Sequence, residues 1–297
     1  MRQLVILSGK GGTGKTTVAS AFIQLSQTLA CADCDVDAPN LHLVNDQYPI
    51  HRSEPYFGLP KAVIDPARCR SCGKCLQSCR FDAVIADKPY KIDPIACEGC
   101  GVCALVCPQD AIRMKPRQAG SMTLYTNGDA VFSAAKLKTG SGTSGLLVSQ
   151  VKKRMKEAAK ENTSFAIVDG SPGIGCPVIA TLSGADVTLI VTEPSLSGIS
   201  DLRRIVDTAR GFGVGIAVCV NKADTNSEKT EDIRRYCKEE KLFFAGLIPY
   251  DPLAVKAVNQ GLSIADIPCP SGKAAIEVYH KILPLLVIEG PSEKTQT

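Results

Sequence analysis

Gly9-Lys10-Gly11-Gly12-Thr13-Gly14-Lys15-Thr16 satisfies G-x-x-x-x-G-K-S/T, a phosphate-binding pattern. Its glycines let backbone N–H groups converge on phosphate oxygens. Lys15 is expected to reach the β- and γ-phosphates and Thr16 to bind Mg²⁺, with Gly11, Gly12, Thr13, Gly14 and Thr17 around the nucleotide. Further along lie two matched cysteine runs. Cys69, Cys72, Cys75 and Cys79 form the first; Cys97, Cys100, Cys103 and Cys107 form the second. Each reads C-x-x-C-x-x-C-x-x-x-C, a spacing whose thiolates suit 4Fe–4S clusters. Zinc is the alternative, but zinc takes two C-x-x-C pairs, not three ligands within seven residues plus a fourth, twice. Nucleotide chemistry and redox chemistry therefore meet in one chain.

Four other segments carry acidic or amide groups at expected strand ends. Phe165-Ala166-Ile167-Val168-Asp169-Gly170-Ser171-Pro172-Gly173 puts Asp169 after four apolar residues. There it can reach water on magnesium, and Gly173 can offer an N–H to the γ-phosphate. Asp33-Cys34-Asp35-Val36-Asp37-Ala38-Pro39-Asn40, Asn221-Lys222-Ala223-Asp224 and Pro249-Tyr250-Asp251 are the others.

The elements that must position these groups follow from periodicity. Gln3–Leu7 reads as a short apolar strand, 15–27 as a helix and 28–33 as a second strand. Segments 164–169, 187–192, 214–220 and 242–248 read as strands separated by helices. Continuous apolar runs such as VTLIV indicate a parallel sheet buried on both faces. Residues 121–134 suggest a hairpin turning at Asn127-Gly128. A basic helix after the Gly140–Gly145 loop and a final helix over 271–287, disturbed near its end by Pro284, complete the expectation. CRSCGKCLQSCRFDAV aligns with CEGCGVCALVCPQDAI at a period of 28, which implies duplication with approximate two-fold symmetry. The fold expected is an α/β P-loop domain with a mainly parallel central sheet flanked by helices, plus an inserted α+β module. The expected parts are an ATPase domain over 1–47 and 117–290, a proline-bearing linker at 48–59, a cluster module at 60–116 and a polar tail at 291–297.

Length and composition allow one large α/β domain with a small insertion. A net charge of +4 does not suggest nucleic-acid binding. The stretch 61–117, with ten Lys/Arg against six Asp/Glu, is locally basic; a solvated surface is the plain reading and an acidic redox partner the sharper one. Fourteen cysteines here do not read as a disulfide framework. The start lacks the length and cleavage site of a signal peptide, and no apolar run approaches a membrane span. The expectation is a cytoplasmic protein of an anaerobe, with no nucleic-acid partner and no stable membrane insertion. Cys31 and Cys34, three apart on a strand, do not share a face. Cys176 reads as a small buried residue, with a place near a dimer interface as the alternative.

Lys10, in K-G-G-x-G-K-T, makes the loop resemble the deviant Walker A loop of the MinD/ParA/Mrp ATPases. That resemblance implies a homodimer or related heterodimer sandwiching ATP, in which Lys10 reaches the partner's phosphates and hydrolysis is slow and dimer-dependent. It implies that Asp35 activates the attacking water and that Asp33 holds magnesium-bound water. It also implies that Asn221, Lys222, Asp224, Pro249 and Asp251 surround adenine, although a similar N-K-x-D reads guanine in GTPases. Leu146 stands where the family commonly has a lysine. The cysteine runs resemble two-cluster ferredoxins, in which the fourth cysteine of each run ligates the other cluster. Carried over, one cluster takes Cys69, Cys72, Cys75 and Cys107, and the other Cys97, Cys100, Cys103 and Cys79. Pro108 follows the pattern; Arg80 replaces the corresponding proline. The cofactors implied are ATP, Mg²⁺ and two 4Fe–4S clusters. The leading expectation is an ATPase coupling nucleotide state to electron transfer or metallocofactor maturation, with a redox or metallocofactor client. An Mrp-like cluster scaffold and a MinD-like spatial organiser are the alternatives. Because the insertion begins soon after Asp35–Asn40, that segment is expected to transmit nucleotide state to the clusters.

Overall fold

The computed structural model describes residues 1–44 and 48–286. The expected polar tail at 291–297 lies outside the described residues. β1 (Arg2–Ser8), α1 (Lys15–Ser26) and β2 (Ala30–Asp33) come first, followed by β3 (Ile50–Phe57). The small module then runs β4 (Lys61–Ile64), α2 (Lys74–Ser78), β5 (Val84–Ile85), β6 (Lys91–Ile92), α3 (Val102–Leu105) and β7 (Ile112–Lys115). The hairpin β8 (Gln118–Asn127) and β9 (Ala130–Leu137) leads into α4 (Ser144–Ala158), β10 (Phe165–Pro172) and α5 (Cys176–Leu182). The chain closes with β11 (Val187–Thr192), α6 (Leu196–Arg210), β12 (Gly215–Asn221), α7 (Ser227–Glu239), β13 (Phe243–Ile248), α8 (Pro252–Asn259) and α9 (Pro270–Leu286).

Among the described residues the main sheet has nine strands in the order β13-β12-β11-β1-β10-β2-β9-β8-β3. Every pairing from β13 to β9 is parallel, while β8 is antiparallel to both β9 and β3. The parallel strands are buried on both faces, as their unbroken apolar runs require. Side chains alternate across the sheet: Val5 and Leu7 enter the core beneath α4, α5 and α6, whereas Leu4 and Ile6 enter the one beneath α1 and α9. Cys34 lies in the first core and Cys31 in the second, so the two do not form a C-x-x-C pair. α9 buries Ala275, Val278, Tyr279 and Ile282 and is a core helix. No helix among the described residues is long and apolar enough to cross a membrane.

One expectation is overturned here. Most of the stretch read as a linker is β3, an eight-residue antiparallel strand on β8. Its residues carry no helical or alternating apolar pattern because the strand is at the sheet edge and largely solvated, where Pro55 is tolerated. The small module thus begins after this strand, not directly after Asp35–Asn40, and that segment does not pass straight into the cysteine runs.

The module reproduces its 28-residue repeat in three dimensions. β4 pairs with β7 and β5 with β6, so each half contributes one strand to each ribbon. Left-handed backbone recurs at matched positions: Ser71 and Gly99, Gly73 and Gly101, Asp82 and Asp110.

Candidate functional site

β1 delivers the phosphate loop to the N-terminus of α1 at the carboxyl edge of the sheet, where α/β folds place ligands. Gly14 caps the helix at φ 90°, and a Cβ there would lie 2.2 Å from the Asn221 side-chain nitrogen. That amide donates to the Thr13 carbonyl at 2.7 Å, and Lys222 Nζ donates to the Gly12 carbonyl at 2.9 Å. The end of β12 therefore clamps the loop from above. Two cavities flank it. One, of about 580 Å³, is lined by Gly11–Thr17 together with Asp35, Asn40 and Pro172. The other, of about 310 Å³, lies between Asn221, Lys222 and the Pro249–Asp251 segment, with Val18 and Ile248 supplying apolar wall. Asp224 lines neither; its carboxylate accepts the Tyr250 N–H at 2.6 Å and so pins that segment. Asp251 lines the second cavity, but its carboxylate accepts the Leu253 and Ser271 N–H groups.

At the foot of the first cavity Lys15 Nζ meets Asp169 Oδ1 at 2.6 Å, and the Thr16 hydroxyl donates to Asp169 Oδ2 at 2.7 Å. Burial pulls the Lys15 ammonium down, but Asp169, together with Asp33 and Asp35, outweighs burial and the Lys15 pKa is raised. The carboxylate thus gathers the cation expected on phosphate and the hydroxyl expected on magnesium. That donor set fits a hard divalent ion: one hydroxyl and one carboxylate side by side, with room for water. Asp33 is fully buried and turned away from the cavity. Its oxygens accept N–H groups of Asp35, Asn40 and Leu41 at 2.9 to 3.0 Å, so it shapes the loop that carries Asp35. Burial, with Asp169 beside it, pushes its carboxyl up to about 7. Asp35 lines the cavity, and burial raises its pKa too.

Three findings escaped sequence reasoning. Lys10 Nζ is held by Glu193 Oε1 at 2.5 Å and by the Ser197 hydroxyl at 2.9 Å. Glu193, at the carboxyl end of β11, also faces Lys222 at 3.4 Å; its position in T-E-P-S after an apolar strand was the available signal. The two lysines overcome the effect of partial burial and hold the Glu193 carboxyl below its ordinary range. The Gly173 N–H, expected on phosphate, donates to the Ser8 carbonyl at 2.9 Å. Cys176, expected to be buried, is exposed: it starts α5, a position that faces outward and touches Gly145.

In the small module a cavity of about 20 Å³ is lined by Cys69, Cys72 and Cys75 from the first run and Cys107 from the second. Burial raises the Cys75 thiol, and the neighbouring Cys69 and Cys107 push the same way. Backbone N–H groups of Ser71 and Ala111 point at the sulfurs of Cys69 and Cys107, at 3.5 and 3.3 Å. Cys103 is raised by burial and by its neighbours Cys97 and Cys100, and it shares a small core with Cys79. Among the described residues no group of three or more His, Cys, Asp or Glu side chains is set to hold a metal ion.

Residues 4–264 match the CobQ/CobB/MinD/ParA nucleotide binding domain family. An uncharacterised protein of Methanocaldococcus jannaschii is 31% identical over 283 residues, covering 94% of this chain and 96% of that one. A cytosolic Fe-S cluster assembly factor of Eremothecium gossypii is 24% identical over 149 residues, 44% of each chain. The septum site-determining protein MinD of Pyrococcus horikoshii, solved with Mg-ADP, superposes with a TM-score of 0.56 at 16% identity, covering 95% of both chains. With its phosphate loop at the head of α1 and Asp169 beside it, the chain belongs to the CobQ/CobB/MinD/ParA family of P-loop ATPases.

Proposed function

We infer that the protein hydrolyses ATP to ADP and phosphate as an iron–sulfur ATPase, coupling nucleotide state to electron transfer or metallocofactor maturation. In this reading an ATPase body of residues 1–47 and 117–290 carries the cluster module 60–116. The carrying observation is the cavity that brings Cys107 to Cys69, Cys72 and Cys75 across the two halves of the repeat. The donor chemistry fits the group: four thiols from a crossed pair of runs, with backbone N–H groups directed at two of the sulfurs. Cys97, Cys100, Cys103 and Cys79 would hold the second cluster. The clusters would supply one-electron storage when bound.

The chain's own residues do the rest. Lys15 exchanges Asp169 for the β- and γ-phosphates, which frees Asp169 and Thr16 to hold Mg²⁺ through oxygen ligands. Asp35, on the loop shaped by Asp33, orients the attacking water. Adenine enters the slot between Asn221 and Pro249, with Lys222 and Asp251 at its edge. Lys10 leaves Glu193 to meet nucleotide on a second copy or a related chain, and the Gly173 N–H leaves Ser8 for the γ-phosphate. A second reading, a scaffold that hands clusters to other proteins, is favoured by the partial likeness to the Fe-S assembly factor. The fold is equally that of the MinD spatial organisers.

Anaerobic purification followed by iron and sulfide assay tests the reading. About eight irons and eight sulfides per chain are expected, falling by about half in Cys72→Ser. Zinc without sulfide would overturn it. Rapid, complete cluster transfer to an apoprotein would favour the scaffold.

A further inference from the structure

We propose that the basic groove on the small module docks an acidic electron-carrier protein; this rests on the iron–sulfur reading. The groove measures about 600 Å³ and runs along β4, β6 and β7. Lys61, Lys91, Lys115 and Arg117 line it, and no Asp or Glu does. Lys61 is buried and its ammonium donates to the Cys97 carbonyl, while Lys91 pairs with Asp87 at 2.7 Å. Lys115 and Arg117 are exposed, and among the described residues neither is ion-paired.

The position of the groove gives it a use. Ile64 and Tyr90 line both the groove and the cavity of Cys69, Cys72, Cys75 and Cys107, so the two share a wall. Arg70 and Lys74 extend the cationic lining onto the cavity side, again with no carboxylate. The loop of the other cysteine run packs on Pro60 and the Gly140–Gly145 loop, although its Cys100 is exposed, as Cys72 is. A Cβ on Gly99 would lie 2.4 Å from the Pro60 carbonyl, and one on Gly142 would lie 3.3 Å from Glu98 Oε2. A visitor seated in the groove therefore lies beside the set formed by Cys69, Cys72, Cys75 and Cys107.

Charge identifies the visitor. Residues 61–117 hold ten Lys/Arg against six Asp/Glu, an excess equal to the whole chain's net charge of +4. Redox encounters use small interfaces and depend on electrostatic steering for their rates. The floor of the groove is Ile64, Ile92 and Tyr90, edged by prolines. An acidic protein surface uses both the cations and that apolar floor; a polynucleotide would use the cations alone. In the exchange the reduced carrier loses one electron, which would be taken up by the cluster that Cys69, Cys72, Cys75 and Cys107 would hold, and no bond is made or broken.

The test uses the anaerobically purified full chain and an acidic flavodoxin as probe. Binding is measured by titration calorimetry at low and at high salt, in wild type and in Lys115→Glu/Arg117→Glu. Binding that weakens with salt and falls about tenfold or more in the variant is the expected result. The milder Lys115→Gln/Arg117→Gln should fall between, and guards against misfolding of the charge reversal. Stopped-flow oxidation of the flavodoxin hydroquinone should slow in the same order, with ATP hydrolysis unchanged. Equal affinity in wild type and both variants would overturn the proposal, as would tighter binding of basic cytochrome c or of a DNA oligonucleotide. Iron and sulfide content is assayed separately. A chain without them that still binds flavodoxin through Lys115 and Arg117 would refute the iron–sulfur reading and leave the docking surface standing.

Discussion

Replacing Asp169 with asparagine should destabilise the nucleotide-free protein more than any surface ion-pair change. The Lys15 and Asp169 side chains are 6% and 1% exposed, and they meet at 2.6 Å. Removing one partner of a buried pair costs about 3–5 kcal/mol, because the other charge stays buried. Asparagine keeps one acceptor for Lys15 or Thr16, and Asp33 still faces the ammonium, so the lower end, about 3 kcal/mol, is expected. For a body of this size that lowers the melting temperature by roughly 6–12 °C. Scanning calorimetry in EDTA, without nucleotide, reads it directly. Lys15→Met should cost at least as much, since it leaves Asp33 and Asp169 buried without a cation. In Lys15→Met/Asp169→Asn the loss should fall short of the sum by at least about 1 kcal/mol. A single-mutant shift below about 2 °C with strict additivity in the double mutant would refute the coupling of Lys15 to Asp169.

Stability of the nucleotide-free protein should depend on Asp33. Its folded pKa is raised from 3.8 to about 7, so the folded state binds the proton more tightly. Stability should fall as pH rises from about 4 to about 7 and then level off; Asp33→Asn should flatten that slope in melting curves. Glu193→Gln loosens a half-buried contact on Lys10 worth about 1 kcal/mol. On the proposed reading, in which Lys10 meets nucleotide on a second chain, dimerisation with ATP should tighten about fivefold in analytical ultracentrifugation, and an unchanged association would show that Glu193 does not restrain Lys10. Gly14→Ala forces φ 90° on an L-residue and drives a Cβ into Asn221, so nucleotide affinity should drop by at least about tenfold in calorimetry.

The phosphate loop was legible because its chemistry is written in eight contiguous residues. Asp169 was legible because four apolar residues announce a buried strand around it, though that strand runs on to Pro172 and does not end at Asp169. The repeat was legible as a period, and its positive-φ positions bear it out at 71 and 99, 73 and 101, 82 and 110. β3 was not legible: a solvated edge strand has no buried face to impose alternation, and Pro55 argued against it. Cys176 was misread because local composition does not say which way the first turn of a short helix points.

Motif and period thus determined the nucleotide chemistry, the family and the duplicated module, since each depends on residues close together in sequence. Tertiary structure decided what distant residues do to one another. It turned Asp33 from the cavity to three backbone N–H groups, set Glu193 on Lys10 across 183 positions, and brought Cys107 to the first cysteine run. It also put Tyr90 between that cavity and the basic groove. Such contacts come from the order of strands in a sheet and the pairing of two half-modules, which packing selects globally and no local stretch of chain encodes.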